Sequence, residues 1–214
     1  FNSVVENPPY IRQELLGEGE KKKIKQLIET EYSEKLFIGA PSKKRIRGIV
    51  LDKQSDIYIY FFIHGLAFLN KNGRLGFISS NKWLEVGYGE PFQQFILDNA
   101  KILYVVEFDR AIFPDAEVNT AITILEKEAN KESRQQNLVK FVRVKKRLGI
   151  EELHKRIQAT TDSLEDDDLR INVVQQENLI PGKWNIYLRA PPVYSKVLSS
   201  AKIRPLSSLA EIFR

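Results

Sequence analysis

The pattern of apolar and polar positions along the chain predicts alternating strands and helices. Short apolar runs typical of strands lie at 1–5, 74–79, 102–108 and 120–125. Residues 56–69 are apolar almost all round, which predicts a buried helix, and residues 90–99 predict another. Strand–helix–strand alternation of this kind is typical of an α/β domain with a mainly parallel sheet.

The connection at 109–119 is too short for a helical crossover, so the strands on either side are expected to be antiparallel neighbours. Asn72-Gly73 is expected to stop the buried helix predicted at 56–69. Asn81 is expected to cap a short helix through Trp83 and Leu84.

The rest of the chain is less regular. Residues 20–36 predict an amphipathic helix, and the polar segment 128–136 is expected to be an exposed linker. Beyond it we predict a strand at 138–144, a helix at 150–159 and a strand at 169–174. We therefore divide the chain into a main part, a small α+β extension or connector and the start of a further region, at 1–127, 128–190 and 191–214.

The amino-acid composition limits the kinds of functional site and the cellular location expected for this chain. The 214 residues include no cysteine and two separated histidines, so neither thiolate chemistry nor a metal site is expected. The net charge of +5 is mild support for a polyanionic partner. No apolar run is long enough to cross a membrane and no signal peptide is visible, so a reducing cytoplasm is the simplest location.

Basic residues concentrate in two places. Lysines crowd the first turns of the predicted helix at 20–36, and a loop follows with Lys43, Lys44, Arg45 and Arg47. The lysine run has two readings, a solvated face or a set of phosphate contacts, and we favour the solvated face. The loop is a candidate for contacts with a nucleic-acid backbone.

The segment Asn7-Pro8-Pro9-Tyr10 carries the most specific chemistry. The two prolines stiffen the loop after the first predicted strand and remove two backbone donors. The Asn7 side chain and the Pro8 carbonyl could accept both hydrogens of a planar amine, while the Tyr10 ring could stack on a base swung out of its duplex. A plain strand-to-loop turn is the alternative, because Asn-Pro often starts turns.

Several further blocks stand in order behind this segment: Asp56 to Phe61, Asn72 to Ile78, Asn81 to Leu84, and Phe113-Pro114 ahead of Ala121 to Ile124. Together they resemble the C-terminal half of the catalytic domain of amino-type DNA adenine-N6 methyltransferases, in particular type IIG and related restriction–modification enzymes. Residues 1–127 carry the resemblance well and the remainder weakly. It implies part of a Rossmann-like, S-adenosylmethionine-dependent fold whose last strand is antiparallel.

The resemblance implies roles for individual residues. Asn7, Pro8, Pro9 and Tyr10 would form the catalytic segment, with Asn7 also near the cofactor. Tyr10 and Phe113 would contact the flipped adenine, although Phe113 could instead anchor a turn. Phe61 would line the pocket of the S-adenosylmethionine adenine, or be a core aromatic. Asp56 is more simply a helix N-cap. Double-stranded DNA would be the substrate.

The resemblance also implies a donor loop and a partner carboxylate ahead of the Asn-Pro-Pro-Tyr block, where only six residues stand. We therefore expect a fragment that lacks the main donor-binding loop, is inactive alone, and needs its N-terminal half or other restriction–modification subunits. Trp184 to Pro191 resembles the connector to a target-recognition domain. Two alternatives remain open: a glutamine-N5 protein methyltransferase, which shares the tetrapeptide, and a non-catalytic module that binds DNA or another subunit.

Overall fold

The computed structural model describes residues 1–11, 15–27, 56–85, 87, 89–109 and 119–194, which contain a seven-stranded sheet with helices packed on it. The strands are β1 Ser3–Glu6, β2 Arg74–Ser80, β3 Ala100–Phe108, β4 Thr120–Lys127, β5 Leu138–Val144, β6 Leu164–Glu165 and β7 Leu169–Gln175. The helices are α1 Glu18–Leu27, α2 Ile57–Phe68, α3 Gly89–Asn99, α4 Lys131–Gln135, α5 Ile150–Ala159 and α6 Asn185–Arg189. The predicted strands and helices are confirmed with small shifts of their ends, except that the second half of the 20–36 helix lies outside the described residues.

The sheet has the strand order β1-β2-β4-β3-β5-β7-β6. β1 is parallel to β2 and β3 to β5, whereas β4 is antiparallel to both of its neighbours and β7 to both of its own. Hence β4 and β7 run against the other strands, and the predicted antiparallel pairing of β3 with β4 is confirmed. β1, β2, β3 and β5 end on the same side, which we call the carboxyl edge; the opposite side is the amino edge.

Hydrophobic residues alternate along the strands and supply a core on each face. Val105 and Phe141 belong to a large cluster that packs β2 to β5 against α2, α3 and α6. Val106 and Val142, one residue further along, belong to a smaller cluster under α5. Since β5 and β7 continue the same sheet, the segment predicted as an extension adds strands to the main sheet. The proposed division at residue 127 stays a prediction.

Helix α2 packs unusually close to β2. A Cβ on Gly65 would lie 2.7 Å from Leu75 Cδ1 and 3.1 Å from Phe77 Cζ, and both of those side chains are fully buried. The helix is followed by a turn in which Asn72 takes a φ of 61°, a value that asparagine tolerates better than most residues. The helix itself ends at Phe68 with the extended Leu69 as its C-cap, so Asn72-Gly73 forms the turn into β2 and is not the helix stop that the sequence predicted.

The cap predicted at Asn81 is wrong. The Ser80 side chain accepts the hydrogen bond from the Lys82 backbone N–H, and residues Asn81–Leu84 form a 3-10 turn. Asn81 is buried and its amide donates instead to Glu107. Serine and asparagine are both good capping residues. Here Ser80 is the cap because the Asn81 amide is bound by the Glu107 carboxylate from β3.

The linker predicted at 128–136 is exposed at 129–132 and 136, as expected, but it contains helix α4 and the buried side chains of Glu128 and Arg134. Arg134, on α4, is buried and donates to the backbone carbonyls of Leu97, Glu128 and Ala129. Burial lowers the pKa of this guanidinium. Arg134 therefore joins this partly solvated segment to the domain through hydrogen bonds to the backbone at the end of α3 and after β4.

The segment after β7 folds back over the large core. The Trp184 ring is fully buried, with its centroid 5.9 Å from that of Trp83 and 6.3 Å from that of Phe141. The amide of Gln93, also fully buried, donates to the carbonyls of Trp83 and Gly182 and accepts from the Gly182 N–H. The predicted connector is therefore packed into the domain.

Candidate functional site

The segment Asn7-Pro8-Pro9-Tyr10 lies at the carboxyl edge, directly after β1. Glu6 is in register with Phe77, so the loop begins beside Ile78 on β2. The Tyr10 hydroxyl lies 3.4 Å from the Ile78 carbonyl oxygen and links the loop to this neighbouring strand. Ligands of open α/β sheets bind outside the carboxyl ends of the strands, so the segment lies where a site is expected.

Within the loop, the Tyr10 hydroxyl donates to Asn7 Oδ1 at 2.6 Å. An amide oxygen has two lone pairs, so Asn7 Oδ1 can accept one more hydrogen bond. Burial raises the pKa of the Tyr10 hydroxyl, which keeps it a donor at neutral pH. The contact therefore holds the Asn7 oxygen in place without using up its accepting capacity.

The two prolines are placed differently. Pro8 is buried and Pro9 is exposed, while Asn7 is exposed. Neither proline has an N–H to satisfy, and each ring fixes φ near −65°. A buried Pro8 anchors the loop to the fold, and the exposed Asn7 amide remains open to a ligand.

Phe61 lies about one turn into α2, is half-buried and packs against the large core cluster. The far end of α2 is at the amino edge, since the Phe68 ring lies 6.0 Å from that of Phe1 at the start of the chain. The beginning of α2 is therefore at the carboxyl edge, on the same side as Asn7. Asp56 occupies the N-cap position there but makes no side-chain capping hydrogen bond.

Five of the residues singled out in the sequence lie outside the described residues: Lys43, Lys44, Arg45, Arg47 and Phe113. The two ends of the connection that contains Phe113 are described. Asp109 forms a two-pronged ion pair with Arg143, at 2.6 and 3.3 Å. Asn119 accepts a hydrogen bond from the Asn81 backbone N–H. Both ends are thus tied to the carboxyl edge.

Sequence reasoning missed a polar cluster at this edge. The Asn81 amide donates to Glu107 Oε1 at 2.5 Å, and both residues are buried. Arg189, at the end of α6, lies 2.6 Å from the Glu85 carboxylate and 3.6 Å from that of Glu107. These residues are far apart in sequence, so no local signal marks them as partners.

Among the residues that the structure describes, no group of His, Asp or Glu is arranged to hold a metal ion. Within the same residues, no helix is long and apolar enough to cross a membrane.

The strand order and the loop after β1 define a Rossmann-like α/β fold of the methyltransferase type. The chain belongs to the Eco57I restriction-modification methylase family, whose model matches residues 1–113. That match contains the whole Asn-Pro-Pro-Tyr loop together with α2, β2 and β3.

Curated relatives agree with this family. The chain is 32% identical over 110 residues to the type II methyltransferase M.BstVI of Geobacillus stearothermophilus, covering 51% of this chain and 16% of the relative. It is 30% identical over 129 residues to the type II methyltransferase M.XhoI of Xanthomonas vasicola, covering 59% of this chain and 20% of the relative. The matched part is thus a sixth to a fifth of each relative's length.

Solved structures share the fold at low sequence identity. The type IIG restriction endonuclease BpuSI superposes with a TM-score of 0.62 at 11% identity, over 94% of this chain and 22% of that chain. A type I restriction–modification methyltransferase subunit from Streptococcus thermophilus gives a TM-score of 0.57 at 18% identity, over 90% and 37%. The fold therefore extends beyond the residues matched by the family model and includes the segment after β7.

Proposed function

We propose that this chain supplies the target-base part of an S-adenosylmethionine-dependent DNA adenine-N6 methyltransferase of a restriction–modification system. The observation that carries the proposal is the Asn-Pro-Pro-Tyr loop at the carboxyl edge, with Asn7 Oδ1 held by the Tyr10 hydroxyl at 2.6 Å. Membership of a restriction–modification methylase family supports it.

In the proposed reaction, the adenine N6 amine is held by two acceptors, Asn7 Oδ1 and the Pro8 carbonyl. Its lone pair is delocalised into the ring, which makes the free amine a poor nucleophile. When both N–H groups are bound to these acceptors, the lone pair can be directed out of the ring plane towards a methyl group. The nitrogen then forms a bond to the methyl carbon as the carbon–sulfur bond of the donor breaks, and the amine loses a proton.

Aromatic residues would hold the base. Extruding an adenine from a duplex costs a few kcal/mol of stacking and pairing, which a new stacking partner offsets. Tyr10, and Phe113 from the connection after β3, would provide such contacts. Phe61, near the start of α2, would contact the adenine of S-adenosylmethionine. The basic residues Lys43, Lys44, Arg45 and Arg47 would contact the DNA backbone.

We propose that the main donor-binding loop is supplied by residues outside this chain, either in a longer form of the same protein or in another restriction–modification subunit. The matched part is only 16% and 20% of the length of two curated relatives, which supports a donor-binding loop outside this chain. On this account the 214-residue chain does not transfer methyl groups by itself. Calorimetric titration with S-adenosylmethionine is expected to show no micromolar binding, and micromolar binding would contradict the division. DNA as substrate places the working protein in the cytoplasm.

The reaction can be identified by its product. The chain would be extended to its full reading frame and incubated with S-adenosylmethionine and duplex DNA. The DNA would then be digested to nucleosides for mass spectrometry. We expect N6-methyladenine, and none from the Asn7→Ala variant. A methylated glutamine in a protein substrate, or no methylated base with an intact donor region, would contradict the proposal.

A further inference from the structure

The 3-10 turn at the end of β2 presents one cation in a defined position. Asn81 and Trp83, on either side of Lys82, are buried, whereas Lys82 itself is exposed. Asn81 is tied to Glu107 through its side chain and to Asn119 through its backbone. The Trp83 ring packs edge-on against Phe92 and Trp184. The neighbours of Lys82 therefore determine the direction in which its side chain leaves the fold.

The backbone of Lys82 is held as well. Its N–H donates to the Ser80 hydroxyl and its carbonyl accepts from the Glu85 N–H. Within the described part of the chain, no carboxylate forms an ion pair with its ammonium group. A cation whose backbone is already fixed loses less conformational entropy when it binds an anion than one on a flexible loop.

The turn is close to the Asn7 loop. The Ile78 carbonyl oxygen lies 3.4 Å from the Tyr10 hydroxyl. Ile78 is on β2, four residues before Lys82 in the chain. Two strand steps of about 3.3 Å and two 3-10 steps of about 2 Å place Lys82 about 11 Å from Ile78. Phosphates recur about every 3.4 Å of helix axis on each DNA strand, so about 11 Å spans about three nucleotides.

From this geometry we propose that Lys82 binds a backbone phosphate of the nucleic-acid strand that carries the base held by the Asn7 loop, within about three nucleotides of it. The inference rests on the proposed function, since it assumes that a polynucleotide lies across the carboxyl edge. It adds a contact site outside the two basic segments named from the sequence. Its ligand is one phosphodiester, recognised by charge and not by base sequence.

The fold supplies a matched control. Lys71 is exposed in the turn between α2 and β2, at the amino edge. The seven residues of β2 separate it from Lys82, a distance of about 20 Å at 3.3 Å per residue. Lys71→Gln and Lys82→Gln remove the same charge from the same kind of exposed side chain, and they differ in which edge of the sheet they affect.

The test is the salt dependence of DNA binding by the full chain, measured by fluorescence anisotropy with a labelled duplex of about 20 base pairs, a length of about two helical turns. Releasing one phosphate contact lowers the slope of log affinity against log salt by about 0.9. We expect Lys82→Gln to reduce the slope by about that amount and Lys71→Gln to leave it unchanged, with Lys82→Arg retaining it. Circular dichroism spectra and thermal melts of each variant confirm that it is folded.

Each other outcome overturns the proposal. Equal effects of Lys82→Gln and Lys71→Gln would mean that only net charge matters, and an unchanged slope for Lys82→Gln would mean that no phosphate is bound there. In both cases the proposed DNA substrate would stand. If the wild-type chain fails to bind DNA at low salt, the DNA partner and the Lys82 contact fall together.

Discussion

At the scale of single residues, buried polar side chains of this protein form hydrogen bonds with backbone N–H and C=O groups of other elements. Gln176 is an example, since its side-chain oxygen accepts from the Ile102 N–H and its amide donates to the Ala100 carbonyl, at the start of β3. Gln93 does the same between α3, the 3-10 turn and Gly182. Such residues look like solvent-facing positions in the sequence, because nothing local marks the partner.

The Gln93 amide offers a direct test of this view. Gln93→Leu leaves the Trp83 carbonyl and the Gly182 N–H without their hydrogen-bond partner, whereas the Gly182 carbonyl still accepts from the Trp184 N–H. Each orphaned group costs about 1–3 kcal/mol, and relaxation and water entry limit the total to about 2–4 kcal/mol. Gln94 is the matched control, since it is next in sequence and half-buried. Gln94→Leu should change the free energy of unfolding by less than about 1 kcal/mol, a typical surface effect. Urea unfolding of both variants compares them, and equal losses would refute the role of Gln93.

Glu165 gives a prediction in pH. Hydrogen bonds from Arg170 and Lys145, each at 2.7 Å, lower the pKa of its carboxyl from 4.5 to about 2. A carboxyl whose folded-state pKa is depressed adds stability above its unfolded pKa and loses it as the pH falls towards the folded value. Glu165→Gln should therefore be less stable than wild type at pH 7, with the difference vanishing between pH 4.5 and about 2.

Thermal melts across that range make the measurement, with the exposed Glu151→Gln on α5 as the control. A constant difference between Glu165→Gln and wild type at all pH values would count against the ion pair as the cause.

At the scale of elements, the close packing of α2 on β2 depends on Gly65, which has no side chain. Alanine usually stabilises a helix interior relative to glycine by about 0.5–1 kcal/mol. At Gly65 a new Cβ would approach Leu75 Cδ1 to 2.7 Å, and both side chains beneath it are buried. Overpacking of this kind typically costs about 1–3 kcal/mol, so we expect a glycine-to-alanine substitution at Gly65 to lower the free energy of unfolding instead of raising it.

Gly65→Ala should therefore destabilise the protein, whereas Gly19→Ala on α1, where no atom lies within 4 Å of the added carbon, should be neutral or stabilising by up to about 1 kcal/mol. Chemical denaturation of the two variants gives the comparison. If Gly65→Ala is as stable as wild type, α2 and β2 are less tightly packed than the structure shows.

The elements were also what the sequence predicted best. The continuous apolar run of α2, the amphipathic spacing of α5 and the apolar strands β2 and β3 are all visible in the sequence. Nothing in the sequence marks Gly65 as a close contact, because a glycine inside a helix usually indicates only a weak point in that helix. Ser80 is the cap because Glu107 on β3 binds the Asn81 side chain, and Arg134 is buried because carbonyls of α3 and of the segment after β4 bind it. Neither set of partners can be identified from the local sequence.

At the scale of the whole molecule, one sheet contains strands from both the predicted main part and the predicted extension. Trp184 is fully buried and its indole N–H donates to the Ile180 carbonyl. Asn172 on β7 donates to the carbonyls of Tyr187 and Ala190, at the end of α6. The hydrogen bonds of Asn172 join α6 to β7, so the segment that the resemblance identifies as a connector packs against the sheet. The local sequence does not show this packing, because the partners are on different elements.

If the segment after β7 is part of the core, Trp184→Ala should lower the free energy of unfolding by about 3–5 kcal/mol, the usual cost of removing a large buried side chain. Ile180→Ala, at a position 77% exposed, should cost less than about 0.5 kcal/mol. Circular dichroism and the fluorescence of Trp83 should report one coincident transition in the Trp184→Ala variant. A small loss, or two separate transitions, would show that the segment is only loosely attached.

The most direct test of the central claim is whether the Asn7 loop recognises the exocyclic amine of adenine. The probes are two DNA hairpins, one with a single unpaired adenine and one with an unpaired purine that lacks the amine. An unpaired base is cheaper to extrude than a paired one. The wild-type chain should prefer adenine by about 5-fold or more, since an acceptor left without its donor costs about 1–3 kcal/mol. Asn7→Ala should reduce that preference, since only the Pro8 carbonyl remains as an acceptor, whereas equal binding of both hairpins by the wild type would contradict the account.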